Sequence, residues 1–185
     1  MYPKRKGWKA VTSGRVFDLY REVVSCAQDL GLWGNQAPPP LYTRKSASSF
    51  GSCFNRKNSK GEEEIALVLN ELLLGYSDDQ IREVIVHEFA HAICIGHHHD
   101  SYWKKTANAI GKKWGYKITP RCKDAQLNAA IFQLKDAKHP YEYELYCPVC
   151  GATWKYRRMC EAVRHPEKYW CQKDKTTLRS RKITN

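Results

Sequence analysis

The chain has no apolar run long enough to span a bilayer, and its first residues, Met1-Tyr2-Pro3-Lys4-Arg5-Lys6, lack the apolar core of a signal peptide. Those two absences argue against a membrane-embedded or secreted protein and predict an intracellular, soluble one. Acidic residues are scarce: 19 Asp and Glu stand against 31 Lys and Arg, a net charge of +12. There is no internal repeat and no low-complexity tract, and no helix-turn-helix or other sequence-reading motif stands out, so sequence-specific DNA recognition is not predicted. What remains, at 185 residues, is one compact domain with a small appendage.

What is present begins with His87-Glu88-Phe89-Ala90-His91. Residues four apart share one face of a helix, so His87 and His91 can offer two imidazoles to one metal ion with Glu88 beside it. The segment reads as a helix: Ser77-Asp78-Asp79-Gln80 is a capping-box start, and Ile81, Val84, Ile85, Phe89, Ala92 and Ile93 form an apolar stripe of helical period. Paired histidines in a buried helix need a partner to justify their polarity, which weighs against two unrelated surface histidines. A catalytic zinc takes three protein ligands and keeps a fourth position for a water whose pKa falls to about 7, and Glu88 is the candidate general base for that water. The third ligand comes after the helix, where Gly96 ends it and His97, His98 and His99 follow.

The eight cysteines lack a secretory context, so clustered ones read as metal ligands and Cys26, Cys53, Cys94 and Cys122 as scattered, inert residues. Cys147-Pro148-Val149-Cys150-Gly151 follows the strand-like 141–146 stretch and reads as a zinc knuckle, in which a tight turn converges two thiolates on one ion. Residues 169–171 read as a returning strand carrying Cys171 as a third thiol. Aspartate occupies position 174, where a second Cys-x-x-Cys would place its last cysteine. Cys160, His165 and Asp174 can each complete the site, ranked in that order because structural zinc favours thiolate and imidazole. A metal-free alternative packs Trp154, Tyr156, Tyr169 and Trp170.

The motif with its surroundings resembles the SprT/Spartan-like metalloproteases, whose pattern is HExxHA, a variable turn, and a His followed four residues later by Phe or Trp. Here that reads His87 to Ala92, then His99-Asp100-Ser101-Tyr102-Trp103. The resemblance implies His99 as third zinc ligand, with His97 as runner-up and His98 solvated, and Trp103 packing on the following helix. It implies an α+β, zincin-like core of helices on a small antiparallel sheet, one edge of which flanks the substrate groove, and a C-terminal zinc ribbon; the chain departs from the ribbon pattern at Asp174, and donor preference puts Cys160 with Cys147, Cys150 and Cys171 around a second, structural zinc. The pattern of residues agrees in outline: a helix over 16–30, a break at Pro38-Pro39-Pro40, strands at 41–43, 49–54 and 64–69, and the apolar run 65–74 as a core strand. The expected organisation is a protease core over 1–118 closed by a helix in 99–115, a connector over 119–140 with a short helix, a ribbon over 141–175, and a basic, disordered tail over 176–185.

The charge is uneven. Residues 103–123 hold seven basic and no acidic side chains, and residues 155–182 hold ten against three. Interleaved aromatics supply stacking faces, which predicts sequence-nonspecific DNA binding through Lys155, Arg157, Arg158 and Trp170. Three functions follow: a DNA-associated zinc metallopeptidase acting on DNA-bound or DNA-crosslinked proteins, which the Spartan branch implies; a metallopeptidase unrelated to DNA; and a nucleic-acid binder with a structural zinc. Glu88 disfavours the third, because a structural site has no use for it, and the basic, aromatic tail favours the first over the second.

Overall fold

The computed structural model describes residues 5–122, 124–138 and 140–183. Residues 1–4 of the N-terminal segment, Lys123 of the basic stretch, residue 139 of the connector and residues 184–185 of the tail lie outside the described residues. The chain divides into two units, Met1–Ile131 and Phe132–Asn185.

The first unit contains β1 (Lys9–Ala10), α1 (Arg15–Asp29), β2 (Leu41–Arg44), β3 (Gly51–Lys57), β4 (Glu63–Asn70), α2 (Asp78–Ile93) and α3 (Ser101–Gly111), and α4 (Ala125–Lys138) begins in it. Its strands form a four-stranded sheet in the order β1-β2-β4-β3. The expected antiparallel sheet is instead mixed: β2 runs parallel to β4, with Leu41 opposite Leu67, while β3 is antiparallel to β4 and β1 to β2. The physical reason is the order of filling. After β2 the chain passes to the far edge as β3, and β4 then returns into the gap between them.

Asn70, buried at the end of β4, holds that arrangement. Its amide donates to the carbonyls of Ser46 (2.8 Å) and Ser49 (2.9 Å), and its side-chain oxygen accepts from the Leu72 N–H. The core-strand reading of 65–74 is accordingly corrected, because the strand stops at Asn70 and Glu71–Gly75 is a 3-10 turn. Within β4, Ala66 to Asn70 are all buried, since both faces are covered. Leu67 and Leu69 join the helical core, whereas Val68 and Ala66 share the opposite face with their partners Tyr42 and Phe54, over which Trp8 packs at 5.2 and 5.7 Å between ring centroids.

α1 buries Leu19, Tyr20, Val23, Val24 and Ala27, a stripe of helical spacing, against α2. Phe89 of α2 meets Tyr20 edge-on at 6.1 Å and Trp33 at 5.2 Å. α2 also packs on β3, β4 and α3, so the helix carrying the histidine motif is held from three directions. Such packing fixes side-chain positions more firmly than helix propensity could.

The second unit contains β5 (Tyr143–Tyr146), β6 (Thr153–Tyr156), α5 (Glu161–Arg164) and β7 (Arg179–Lys182), with the strands in an antiparallel sheet of order β6-β5-β7. Two expectations are corrected here. Residues 169–171 make only a single bridge, Trp170 to Thr177, and the strand returning to β5 lies in the supposed disordered tail. Its Arg181 explains the difference: the guanidinium binds the buried Glu144 carboxylate at 2.8 Å and lies 4.9 Å from the Tyr146 ring centroid, so a basic sequence still has something to pair with. Among the described residues no helix is long and apolar enough to cross a membrane.

Candidate metal centres

α2 starts where its sequence dictates. Ser77 Oγ accepts from the Gln80 N–H and the Gln80 side chain accepts from the Ser77 N–H, a complete capping box. The helix ends at Ile93, and the chain turns through Gly96 at φ 83, a left-handed value suited to glycine. His99, at φ 59, then turns back toward α2, and the Asp100 carboxylate caps α3 by accepting from the Trp103 N–H at 2.9 Å.

The result is a meeting of three imidazoles. His99 Nε2 lies 3.0 Å from His91 Nε2 and 3.1 Å from His87 Nε2. Nitrogens bound at about 2.0–2.1 Å around a tetrahedral ion stand roughly 3.3 Å apart, so the spacing fits one zinc-sized ion. Trp103 forms the common wall: it is fully buried, with ring centroids 4.7, 5.1 and 4.5 Å from His87, His91 and His99. His98 is exposed, and His97 turns away, its Nδ1 bonded to the Asp100 carboxylate at 2.6 Å.

The electrostatics suit a metal. Burial, followed by the neighbouring imidazoles, pushes His87 and His91 down to about 4, and burial lowers His99 as well, so all three imidazoles are neutral at pH 7 and able to ligate an ion. His87 also donates to the Thr119 carbonyl and His91 to that of His97. Bonds of this kind fix a ring's orientation and leave its other nitrogen to accept.

Glu88 lies beside this triad, buried against β3, where it accepts a backbone hydrogen bond from Cys53. Burial raises its carboxyl to about 7, close to the value wanted of a general base at neutral pH. Both His87 and Glu88 open into a cleft of about 520 Å³. Ser49, Phe50 and Gly51 form one wall, α2 supplies the floor through Val84 and Glu83, and Ile118 to Cys122 stand opposite.

Gly51 was not assigned a role from the sequence. A Cβ there would lie 2.7 Å from Glu88 Cγ and 2.9 Å from its Oε1. The available signal was a glycine inside a strand, which often marks a close approach.

In the second unit the ligand atoms of Cys147, Cys150, Cys171 and Asp174 lie within 4.8 Å of one another. The structure therefore groups Asp174, ranked last from sequence, with the three thiols, in place of Cys160. Cys160 precedes α5 at its N-cap, and His165 engages Glu167 at 3.2 Å. Ligand softness ranked the candidates, but backbone geometry decides which one reaches.

Of the residues expected to meet DNA, Trp170 is 63% exposed and lines a groove of about 460 Å³ with Trp154, Tyr156, Tyr169 and Lys173. Lys155, opposite Glu144 in the sheet, points to the other face from Trp154. Arg157 covers the Tyr141 ring at 4.2 Å and Arg158 is exposed. These cations flank the groove's strand but do not line the groove.

No curated protein and no solved structure matches the chain. A model of the SprT-like family matches residues 25–124, a span running from α1 through the triad to the start of the connector. That match covers more than half of the sequence and includes every residue of the histidine site, and on it the chain belongs to the SprT-like family, a family of metalloprotease type.

Proposed function

We propose that this protein is a zinc-dependent metalloendopeptidase that cuts proteins bound or crosslinked to DNA. The observation that carries the reading is the convergence of His87, His91 and His99 beside a buried Glu88 whose carboxyl is raised to about 7. His87, His91 and His99 would hold a zinc-class ion, which when bound would supply Lewis acidity toward a water and the scissile carbonyl. Glu88, beside the triad, would accept a proton from the attacking water and return it to the leaving amine, which is the work its raised pKa suits.

The zincin-like reading of the first unit adds a place for substrate. β3 is an edge strand and its start borders the cleft, so an extended peptide can pair beside Glu88. A groove of this kind needs a substrate segment free of its own secondary structure. The DNA association rests on the net charge of +12 and on the exposed aromatic groove of the second unit, which we read as ribbon-like.

The test is to incubate the zinc-loaded protein with a basic, disordered DNA-binding protein, alone and with single-stranded or double-stranded DNA. Cleavage stimulated by DNA is expected. Equal cleavage without DNA supports a metallopeptidase of another role, and no cleavage under any condition removes the peptidase reading.

A further inference from the structure

The second unit contains two turns built on one backbone frame. In Cys147-Pro148-Val149-Cys150-Gly151, the Gly151 N–H donates to the Cys147 carbonyl at 3.0 Å and the Cys147 N–H donates to the Ala152 carbonyl at 2.9 Å, with Gly151 at φ 72. In Cys171-Gln172-Lys173-Asp174-Lys175, the Lys175 N–H donates to the Cys171 carbonyl at 2.9 Å and the Cys171 N–H donates to the Thr176 carbonyl at 2.8 Å, with Lys175 at φ 53. The second turn thus repeats the first residue for residue. Asp174 stands where Cys150 stands, and Lys175 adopts the left-handed conformation that Gly151 adopts freely.

The ligand atoms face each other across the two turns. Cys150 Sγ lies 3.6 Å from Cys171 Sγ, and the Asp174 carboxylate lies 3.4 Å from Cys147 Sγ and 3.5 Å from Cys171 Sγ. Around a tetrahedral zinc with Zn–S of about 2.3 Å and Zn–O of about 2.0 Å, sulfurs stand roughly 3.8 Å apart and a sulfur and an oxygen roughly 3.5 Å apart. We propose that Cys147, Cys150, Cys171 and Asp174 together bind one zinc-class divalent ion, with the Asp174 carboxylate as fourth ligand.

Two consequences follow from the donor set. Three thiolates and a carboxylate this close repel one another unless a cation or protons intervene, so the arrangement is strongly coupled to metal loading. The oxygen is a harder donor than the sulfur it replaces, so this site holds zinc less tightly than its four-thiolate counterpart would. Occupancy is then set by the zinc available, and the Asp174→Cys variant, which restores a second Cys-x-x-Cys, binds more tightly. Cys160 and His165, which flank α5 at its two ends, have no part in it. The inference does not depend on peptidase activity.

Cobalt(II) titration of the full-length protein tests it, because sulfur-to-cobalt charge transfer reports only the cysteine site and is silent at the histidine site. Two equivalents should bind, one of them developing the thiolate band. Asp174→Ala should weaken retention of that equivalent against a chelator by at least about tenfold, the scale of losing a metal-site contact. Asp174→Cys should strengthen both retention and the band, while Cys160→Ser and His165→Ala match wild type. The proposal is overturned if wild type gives no thiolate band, if Cys160→Ser or His165→Ala weakens retention as much as Asp174→Ala, or if Asp174→Cys leaves band and retention unchanged. The last comparison is a gain of binding and so survives any folding defect in Asp174→Ala.

Discussion

Gly51 of β3 and Glu88 of α2 are in such close approach that a single methyl group on Gly51 would lie 2.7 Å from the Glu88 side chain. The strand therefore does more than border the cleft: its lack of a side chain at this position sets where the carboxylate rests. Gly51→Ala should displace Glu88 while leaving the three imidazoles in place. A misplacement of about 1 Å in a catalytic group can cost on the order of a hundredfold in rate, so kcat should fall by roughly tenfold to a hundredfold with zinc content unchanged. Kinetics with metal analysis on the one variant would check it.

The triad makes a second prediction. His87→Ala, His91→Ala and His99→Ala should each lose the zinc of the first unit, whereas His97→Ala and His98→Ala should retain it, because His97 is bonded to Asp100 and His98 faces solvent. Trp103→Ala should destabilise the fold by about 3–5 kcal/mol, as large buried aromatics do, and also weaken zinc binding by removing the wall shared by all three rings. Equal zinc retention by His99→Ala and wild type would remove His99 from the ligand set.

Much of this was legible in the sequence because it is local. Ser77 and Gln80, three apart, announce the cap of α2, and His87 and His91, four apart, must share its face. What was not legible is the pairing of distant segments. Nothing in Leu41 marks it as the parallel partner of Leu67, since that pairing depends on β3 leaving a gap that β4 later fills. Arg179–Lys182 reads as a solvated basic tail because the partner that draws it into the sheet, Glu144, lies 37 residues from Arg181. Asp174 could have been found by laying Cys171-x-x-Asp174 over Cys147-x-x-Cys150, but donor preference pointed to Cys160 instead.

The buried ionisable groups predict how the metal-free protein responds to acid. His87 and His91, ordinarily near 6.5, are held at about 4, so the unfolded chain binds more protons than the folded one between these values and stability is lost as pH falls from 6.5 toward 4. Glu88, raised from 4.5 to about 7, acts in the opposite direction: its contribution is greatest below 4.5 and is lost as pH rises to 7. Metal-free Glu88→Gln should therefore lose melting temperature more steeply than metal-free wild type between pH 6.5 and 4.5. Parallel melting curves for the two proteins over that range would contradict the assignment of opposed titrations.

On the DNA-bound reading proposed above, the aromatic groove of the second unit and its flanking cations should make separable contributions to binding. Trp170→Ala should weaken single-stranded DNA binding by about 1–3 kcal/mol at every salt concentration, the range for loss of one stacked base. Arg158→Ala, removing one phosphate contact, should instead reduce the dependence of log affinity on log salt by about one. Binding titrations at several salt concentrations would distinguish these effects, and unchanged affinity and slope in both variants would move the DNA contact elsewhere.

The most direct measurement is turnover by Glu88→Gln against wild type on a disordered DNA-binding protein, with zinc content measured on the same samples. Glu88 stands beside the triad without belonging to it, so the variant should fold and bind the same zinc while losing cleavage by at least about a hundredfold, the scale of a general base. Full zinc content with comparable cleavage would contradict the assignment of Glu88 and, with it, the peptidase mechanism built on this site.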